Sequence, residues 1–362
     1  MITPLLMPKW GIDMTEGRVA QWLAAAGAEV GPGLEIVEVE SEKTVGAVEA
    51  PAAGVLHPVA GPGDVLPVGG LLGVIAPAAM AADELETFVR GFRVAPAGES
   101  ETVERDQTVE VPGHALRLVS LGAGDPPVLL LHGFGGDLRG WGPVQAALAR
   151  AQRVISVDLP AHGGSTTALA SAEPRFFEDL ILGLLDVLAV PRVHLVGHSW
   201  GGVIAWGVAA REPARVASLT LLGTAGPVTP PDPDYVRQFI EAGRRTELKA
   251  VLQRLFADPA LVTRDMVEQA LRHKRIETVE AAWRRIAAAA VAASGTGAAA
   301  AAPAVPIQII TGTEDRICPL GADFVPPAGV SLHRLPGVGH LPQLEAPAEV
   351  ASRVATFAAA HS

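Results

Sequence analysis

Over residues 1–78, apolar and polar residues alternate in short runs: GRVAQWL, LEIVEVE, TVGAVEA, GVLHPVA and LLGVIA, with Gly and Pro between them. A period of two broken by turn residues predicts small antiparallel strands. From residue 107 the pattern changes. VLLLHGFGG, RVISVDLPAHGGS, RVHLVGHSWGG, VASLTLLGT and VPIQIITGTED carry continuous, β-branched apolar runs, as expected of parallel strands covered on both faces. Helical segments such as EDLILGLLDVLA and GVIAWGVAARE alternate with them, which predicts an α/β sheet. Residues 224–300 break this alternation and read as several helices inserted between two sheet strands, where a cap over a site would lie. Between the two regions, ADELETFVRGF puts Leu85, Phe88, Val89 and Phe92 on one helix face with Asp83 as N-cap. The polar, Pro- and Gly-containing RVAPAGESETVER that follows reads as a hinge. About ten residues of such chain span roughly 15–20 Å on average, so its free reach is limited. The predicted organisation is a small all-β domain at 1–78, a linker with a short helix at 79–106, and an α/β domain at 107–362.

The first domain repeats itself. GAEVGPGLEIVEV begins at Gly27 and GDVLPVGGLLGVI at Gly63, an offset of 36 residues. Such an echo predicts two interlocked halves about a pseudo-twofold axis, with the crossing hairpin between them. Lys43 sits at the tip of that hairpin, in VEVESEKTVGAVEAP, among Glu38, Glu40, Glu42 and Glu49. A lysine at a turn is ordinarily a solubilising group; the repeated halves and the flanking acids set this one apart. Residues 1–78 resemble a lipoyl domain, the barrel-sandwich hybrid fold, with SEKTV where that family attaches lipoate to lysine. The resemblance implies covalent lipoate on Lys43. Glu42 stands where many lipoyl domains have Asp, and the Met-Lys-Met tip of the biotin carriers is absent.

In the second domain GHSWG, Gly197–Gly201, fits the G-x-S-x-G nucleophile elbow, after an apolar strand and before an apolar helix. A serine nucleophile needs a base, and the base an orienting acid. ITGTEDRICP offers Asp315 at the end of a late strand and LPGVGHLPQLEAP offers His340 before the last helix. Ser199, Asp315 and His340 occur in that chain order, 116 and 25 residues apart. HGFGG supplies a turn whose Phe134 amide, with that of Trp200, suits an oxyanion hole. Glu314 is a competing acid; Asp158 reads as a loop stabiliser, and His132, His198 and Cys318 as structural. Residues 107–362 resemble the α/β-hydrolase family throughout, with a helical cap.

Charge and composition narrow the setting. The net charge of −11 lacks the basic footprint of a nucleic-acid protein. A single cysteine, Cys318, excludes an internal disulfide and suits a reducing compartment. No basic segment followed by an apolar core opens the chain, which argues against a signal peptide. The alanine-rich tract from Ile286 is interrupted by Gly, Ser and Pro and is too weakly apolar for a membrane span. The expectation is a cytoplasmic protein engaging neither nucleic acid nor membrane. Charge is uneven along it. Residues 1–80 hold three basic and nine acidic residues, a net of −6, whereas 224–300 hold eleven basic and nine acidic, a net of +2. Within that positive segment Arg272, Lys274 and Arg275 stand out as a docking patch for coenzyme A or for the acidic domain.

A lipoyl lysine carries acyl groups as thioesters, and a serine triad moves acyl groups. Their combination on one chain resembles the acyltransferase component of acetoin dehydrogenase complexes. That resemblance implies transfer of acetyl from S-acetyldihydrolipoyl-lysine to coenzyme A. It also implies two partners, a thiamine-diphosphate-dependent acetoin dehydrogenase (E1) and a dihydrolipoamide dehydrogenase (E3). The His-x-x-x-Asp-Gly signature of the ordinary 2-oxo-acid acyltransferases is absent. The triad alone serves equally a thioesterase, an esterase or a C–C bond hydrolase with an appended lipoyl domain. A non-catalytic carrier would be expected to have lost a triad member, and none is lost.

Overall fold

The computed structural model describes residues 3–8, 14, 16–41, 45–77, 84, 88–89, 105–223, 230–293, 302–321 and 323–361. It divides into two compact units, Met1–Glu101 and Thr102–Ser362. The helix expected from Asp83 and the hinge after it lie largely outside the described residues.

The first unit contains β1 (Thr3–Leu6), β2 (Glu16–Trp22), β3 (Glu29–Val30), β4 (Glu35–Glu40), β5 (Val45–Glu49), β6 (Gly54–Pro58), β7 (Val65–Pro67) and β8 (Leu71–Ala76). They form two four-stranded sheets, ordered β1-β8-β6-β3 and β5-β4-β2-β7. The repeat explains this arrangement. Shifting β2, β3 and β4 by 36 residues lands on β6, β7 and β8, and each sheet combines strands from both halves. Ile36 and Leu72, like Val39 and Ile75, are repeat equivalents, and all four are buried in one core. Gly33 and Gly69, also equivalent, turn the chain at φ of 83° and 80°, where glycine pays no Cβ penalty. The interlocking of halves read from the echo is therefore present. β4 and β5 pair with Glu40 opposite Val45. Lys43, in the segment joining them, lies outside the described residues.

The second unit is an eight-stranded sheet of β9 (Arg105–Val111), β10 (His114–Leu121), β11 (Val128–Leu131), β12 (Val154–Val157), β13 (Val193–His198), β14 (Val216–Leu222), β15 (Ile307–Gly312) and β16 (Val330–Leu335). The order is β16-β15-β14-β13-β11-β12-β10-β9. From β12 across to β16 every pairing is parallel. β9 and β10 are antiparallel, an edge that the strand–helix alternation did not announce. Its hairpin turns at Pro112-Gly113, with Gly113 at φ 80°, and β9 starts two residues ahead of the expected domain boundary.

Among the described residues, the α-helices of the second unit are α1 (Gly142–Leu148), α2 (Pro174–Val187), α3 (Trp200–Arg211), α4 (Pro233–Glu241), α5 (Arg245–Gln253), α6 (Arg264–Lys274), α7 (Glu277–Ala293), α8 (Pro342–Glu345) and α9 (Pro347–Ala359). Along β11, Leu129 and Leu131 enter one core cluster while Val128 and Leu130 enter another. Successive side chains of a strand point to opposite faces, so a continuous apolar run is what a sheet covered on both sides requires. α2 buries Phe177, Leu180, Ile181, Leu184 and Leu185, the i, i+3, i+4, i+7, i+8 stripe of an amphipathic helix. Helices α4 to α7 lie between β14 and β15 in the chain, within the segment expected to form a cap. Among the described residues, no helix is long and apolar enough to cross a membrane.

Candidate active site

β13 runs into α3 at Ser199, whose backbone is held at φ 51°, ψ −116°. A non-glycine residue there costs about 1–3 kcal/mol and persists only when its surroundings enforce it. The enforcement is steric. A Cβ on Gly197 would strike the Gly201 carbonyl, and one on Gly201 would strike the Leu131 carbonyl. Small residues at both ends let strand and helix close on each other and lift the serine above the sheet. The Ser199 amide is bound to the Leu222 carbonyl at 2.9 Å.

Asp315 follows the end of β15. Its Oδ1 accepts from the amides of Ile317 at 2.8 Å and Cys318 at 2.9 Å, and its Oδ2 accepts from His340 Nδ1 at 2.9 Å. Burial opposes ionisation of this carboxyl. The neighbouring His340, its hydrogen bond and the two amides outweigh burial and bring Asp315 down to about 2. With Nδ1 donating to Asp315, Nε2 of His340 is left as the acceptor. Glu314, the competing acid, is exposed, whereas Asp315 is buried.

HGFGG turns against the elbow. A Cβ on Gly133 would meet that of Ser199 at 3.0 Å. Among the described hydrogen bonds the amides of Phe134 and Trp200 have no protein acceptor. The Gly135 amide is bound to His162 Nε2 at 3.1 Å and the Gly136 amide to the Gly133 carbonyl at 3.1 Å. The turn is thus fixed through its neighbours, with two amides left over.

Buried histidines supply much of that fixing. His132 Nε2 accepts from the Leu159 amide at 3.0 Å, and His198 Nε2 lies 2.8 Å from the His340 carbonyl. Burial disfavours the charged ring, and His198 is lowered to about 3. Asp158 accepts from the amides of Leu138 and Gly164, as a loop stabiliser would. Cys318 is fully buried and its thiol is pushed up by burial. The sequence reading overlooked His162, which joins the β12 loop to the glycine turn through Gly135 and the Pro160 carbonyl. Its only signal was a histidine beside the glycine pair in PAHGGS.

Ser199, Trp200, Phe134 and His340 line one cavity of about 750 Å³. Asp315 stands behind His340. Helices α4 to α7 and their connections supply most of the apolar wall, including Tyr235, Phe239, Leu252, Met266 and Trp283. Phe239 packs on Phe134 with ring centres 5.6 Å apart. The structure divides the three residues expected to form a docking patch. Arg272 and Arg275 are exposed, and Arg272 lines the cavity. Lys274 does not belong with them: its ammonium is bound to the carbonyls of Phe239 and Ile240 and lies 5.0 Å from the Phe239 ring centre. Desolvation lowers it to about 8. It secures the last turn of α4, because unpaired carbonyls at a helix C-terminus attract a cation.

Residues 3–75 match the family described as "Biotin-requiring enzyme", and residues 128–353 match the "Alpha/beta hydrolase family". The chain is 40% identical over 99% of both lengths to a dihydrolipoyllysine-residue acetyltransferase component of the acetoin cleaving system from Pseudomonas putida. It is 36% identical to the component of the same description from Cupriavidus necator, over 95% of this chain and 94% of that one. A crystal structure of a meta-cleavage product hydrolase superposes with a TM-score of 0.63 at 21% identity, covering 70% of this chain and 97% of that one; this likeness concerns the fold alone. With both domains matched and the relatives aligned along nearly their whole length, the chain belongs to the family of dihydrolipoyllysine-residue acetyltransferase components of acetoin cleaving systems.

Proposed function

We propose that this chain transfers an acetyl group from a dihydrolipoyl thioester carried on Lys43 to coenzyme A, using Ser199, His340 and Asp315. The observation that carries the reading is a serine-type acyl-transfer site on the same chain as a lipoyl-type domain. Lipoate on Lys43 supplies a dithiol that carries acetyl as a thioester. The lipoyl-type unit fits that group: its β4–β5 hairpin pairs Glu40 with Val45 and so leaves a short connection containing Lys43.

Ser199 Oγ attacks the thioester carbonyl while its proton passes to His340 Nε2. The charge forming on the ring is balanced by Asp315. The amides of Phe134 and Trp200 donate to the carbonyl oxygen as it becomes an oxyanion, a contribution of about 3–4 kcal/mol where one such donor is removed elsewhere. His340 then gives its proton to the leaving sulfur as the carbon–sulfur bond breaks. Coenzyme A then enters, gives its thiol proton to His340, and attacks the acetyl-serine. Ser199 leaves and recovers its proton from His340, which closes the cycle. In this reading the aromatic wall of Phe134, Phe239 and Trp283 disfavours water as the competing acceptor. The partners that fit this reading are a thiamine-diphosphate-dependent E1, which would supply the acetyl group, and an E3, which would reoxidise the group held on Lys43.

Product analysis with acetyl-dihydrolipoamide and coenzyme A tests this reading. Acetyl-CoA as the main product supports it; acetate as the main product, with coenzyme A saturating, makes the chain a hydrolase. Trapping acetyl-serine in the absence of coenzyme A separates the covalent route from direct thiol-to-thiol transfer.

Arg272 and Arg275 are proposed to steer the acidic lipoyl domain as donor. Between exposed charges such steering acts on encounter rate and fades with salt, because the Debye length is about 8 Å at physiological ionic strength. Replacing both arginines with Gln should slow transfer from the lipoylated domain several-fold at low salt and leave free acetyl-dihydrolipoamide unaffected. A raised KM for coenzyme A with either donor would instead place the acceptor's phosphates there. Lys274 is left out of this variant, since its loss would disturb α4.

A further inference from the structure

The main chain of His340 is held from two sides. Its carbonyl faces His198 Nε2 at 2.8 Å, beside the nucleophile. Its amide donates to the Leu255 carbonyl at 2.7 Å, and Leu255 belongs to the cap, in the turn after α5. The same turn is tied to the histidine loop a second time. Glu345, half-buried at the end of α8, accepts from the Ala257 amide through Oε2 at 2.7 Å and from the Gly339 amide through Oε1 at 2.8 Å. Gly339 lies so close that a Cβ there would sit 2.6 Å from the Ala257 nitrogen and 2.7 Å from the Leu255 oxygen. One carboxylate thus bridges two amides, one on the cap and one on the residue preceding His340.

We propose that Glu345 is a positioning residue that registers His340 against the cap, so that the histidine is aligned with Ser199 only while the 255–257 turn is seated. This rests on the triad reading above. The physical reason is the chemistry of the two partners. Both are N–H donors, and an ionised carboxylate offers an acceptor to each. Glutamine at this position keeps the shape but turns an amide NH₂ toward one of the two donors, so an isosteric change breaks the bridge. A hydrogen bond to a charged group is among the stronger ones, and a small displacement of the base from the nucleophile is costly to rate. Substrate entry that lifts the cap would accordingly disengage the base, and closure would restore it.

The test uses the full lipoylated chain and its Glu345→Gln, Glu345→Asp and Ser199→Ala variants. Three quantities are measured: single-turnover acylation by p-nitrophenyl acetate, kcat and KM for coenzyme A, and Tm. Glu345→Gln should slow acylation and kcat by about ten- to hundredfold, with KM for coenzyme A unchanged and Tm close to wild type. Glu345→Asp keeps both acceptor oxygens and should recover a substantial part of the loss. Wild-type acylation by Glu345→Gln, with Ser199→Ala inactive, overturns this inference and spares the triad. So does a loss in both Glu345 variants that merely follows a fall in Tm. Wild-type acylation by Ser199→Ala removes the triad reading, and this inference with it.

Discussion

Ser199→Ala should abolish acetyl transfer, lowering kcat by a factor on the order of 10⁴–10⁶. The effect is large because the site is otherwise complete. Asp315 still orients His340 through the 2.9 Å bond to Nδ1, and the Phe134 and Trp200 amides remain in place, but nothing is left to accept the acyl group. Alanine removes one oxygen from a residue that is 8% exposed, so Tm should move by no more than a few degrees. Lipoylation of Lys43 should be unchanged, since that modification depends on the small domain. Steady-state acetyl-CoA formation and intact-protein mass spectrometry read the two outcomes. Full transfer activity in the alanine variant would falsify the assignment of the nucleophile.

Lys43→Arg should remove the lipoyl group and, with it, all flux through the assembled acetoin-cleaving system. Arginine preserves the positive charge of the hairpin but lacks the primary amine that forms the amide with lipoate. Activity on free acetyl-dihydrolipoamide should persist at the wild-type rate, because Ser199, Asp315 and His340 all lie in the other unit, Thr102–Ser362. The two assays must therefore part company in this variant and fall together in Ser199→Ala. A lipoyl mass still present on Lys43→Arg, or a wild-type protein left unmodified where a control lipoyl domain is modified, would reject Lys43 as the attachment site.

The small domain was legible because its repeat is a statement about geometry. Ile36 and Leu72 are 36 residues apart and equally buried, and positive-φ glycines recur at the same offset. The elbow around Ser199, the proposed nucleophile, was legible because its G-x-S-x-G spacing is local: a Cβ on Gly197 would strike Gly201 within the motif, whereas one on Gly201 would strike Leu131 on the neighbouring β11. The antiparallel β9–β10 edge was not announced, since the strand–helix alternation marks strands joined by crossover helices, and β9 and β10 are joined by a hairpin. His162 was missed for a different reason. It bonds Gly135, 27 residues earlier, and no local spacing marks such a pairing.

What the sequence determined by itself was the order of domains, the interlocked halves, the parallel sheet and the candidate residues proposed for its site, because these rest on short-range patterns of apolar periodicity, turn chemistry and motif. Tertiary structure alone decided which charges are free and which are engaged. Lys274 reads like Arg272 and Arg275 along the chain, yet its ammonium closes α4 at the Phe239 and Ile240 carbonyls. Glu345 reads as an ordinary acid in a short helix, yet it joins Ala257 to Gly339 across 88 and 6 residues of chain. A hydrogen-bond donor or acceptor is specified by its residue type, but its partner is specified by the packing of segments distant in sequence, and only the folded chain brings those segments together.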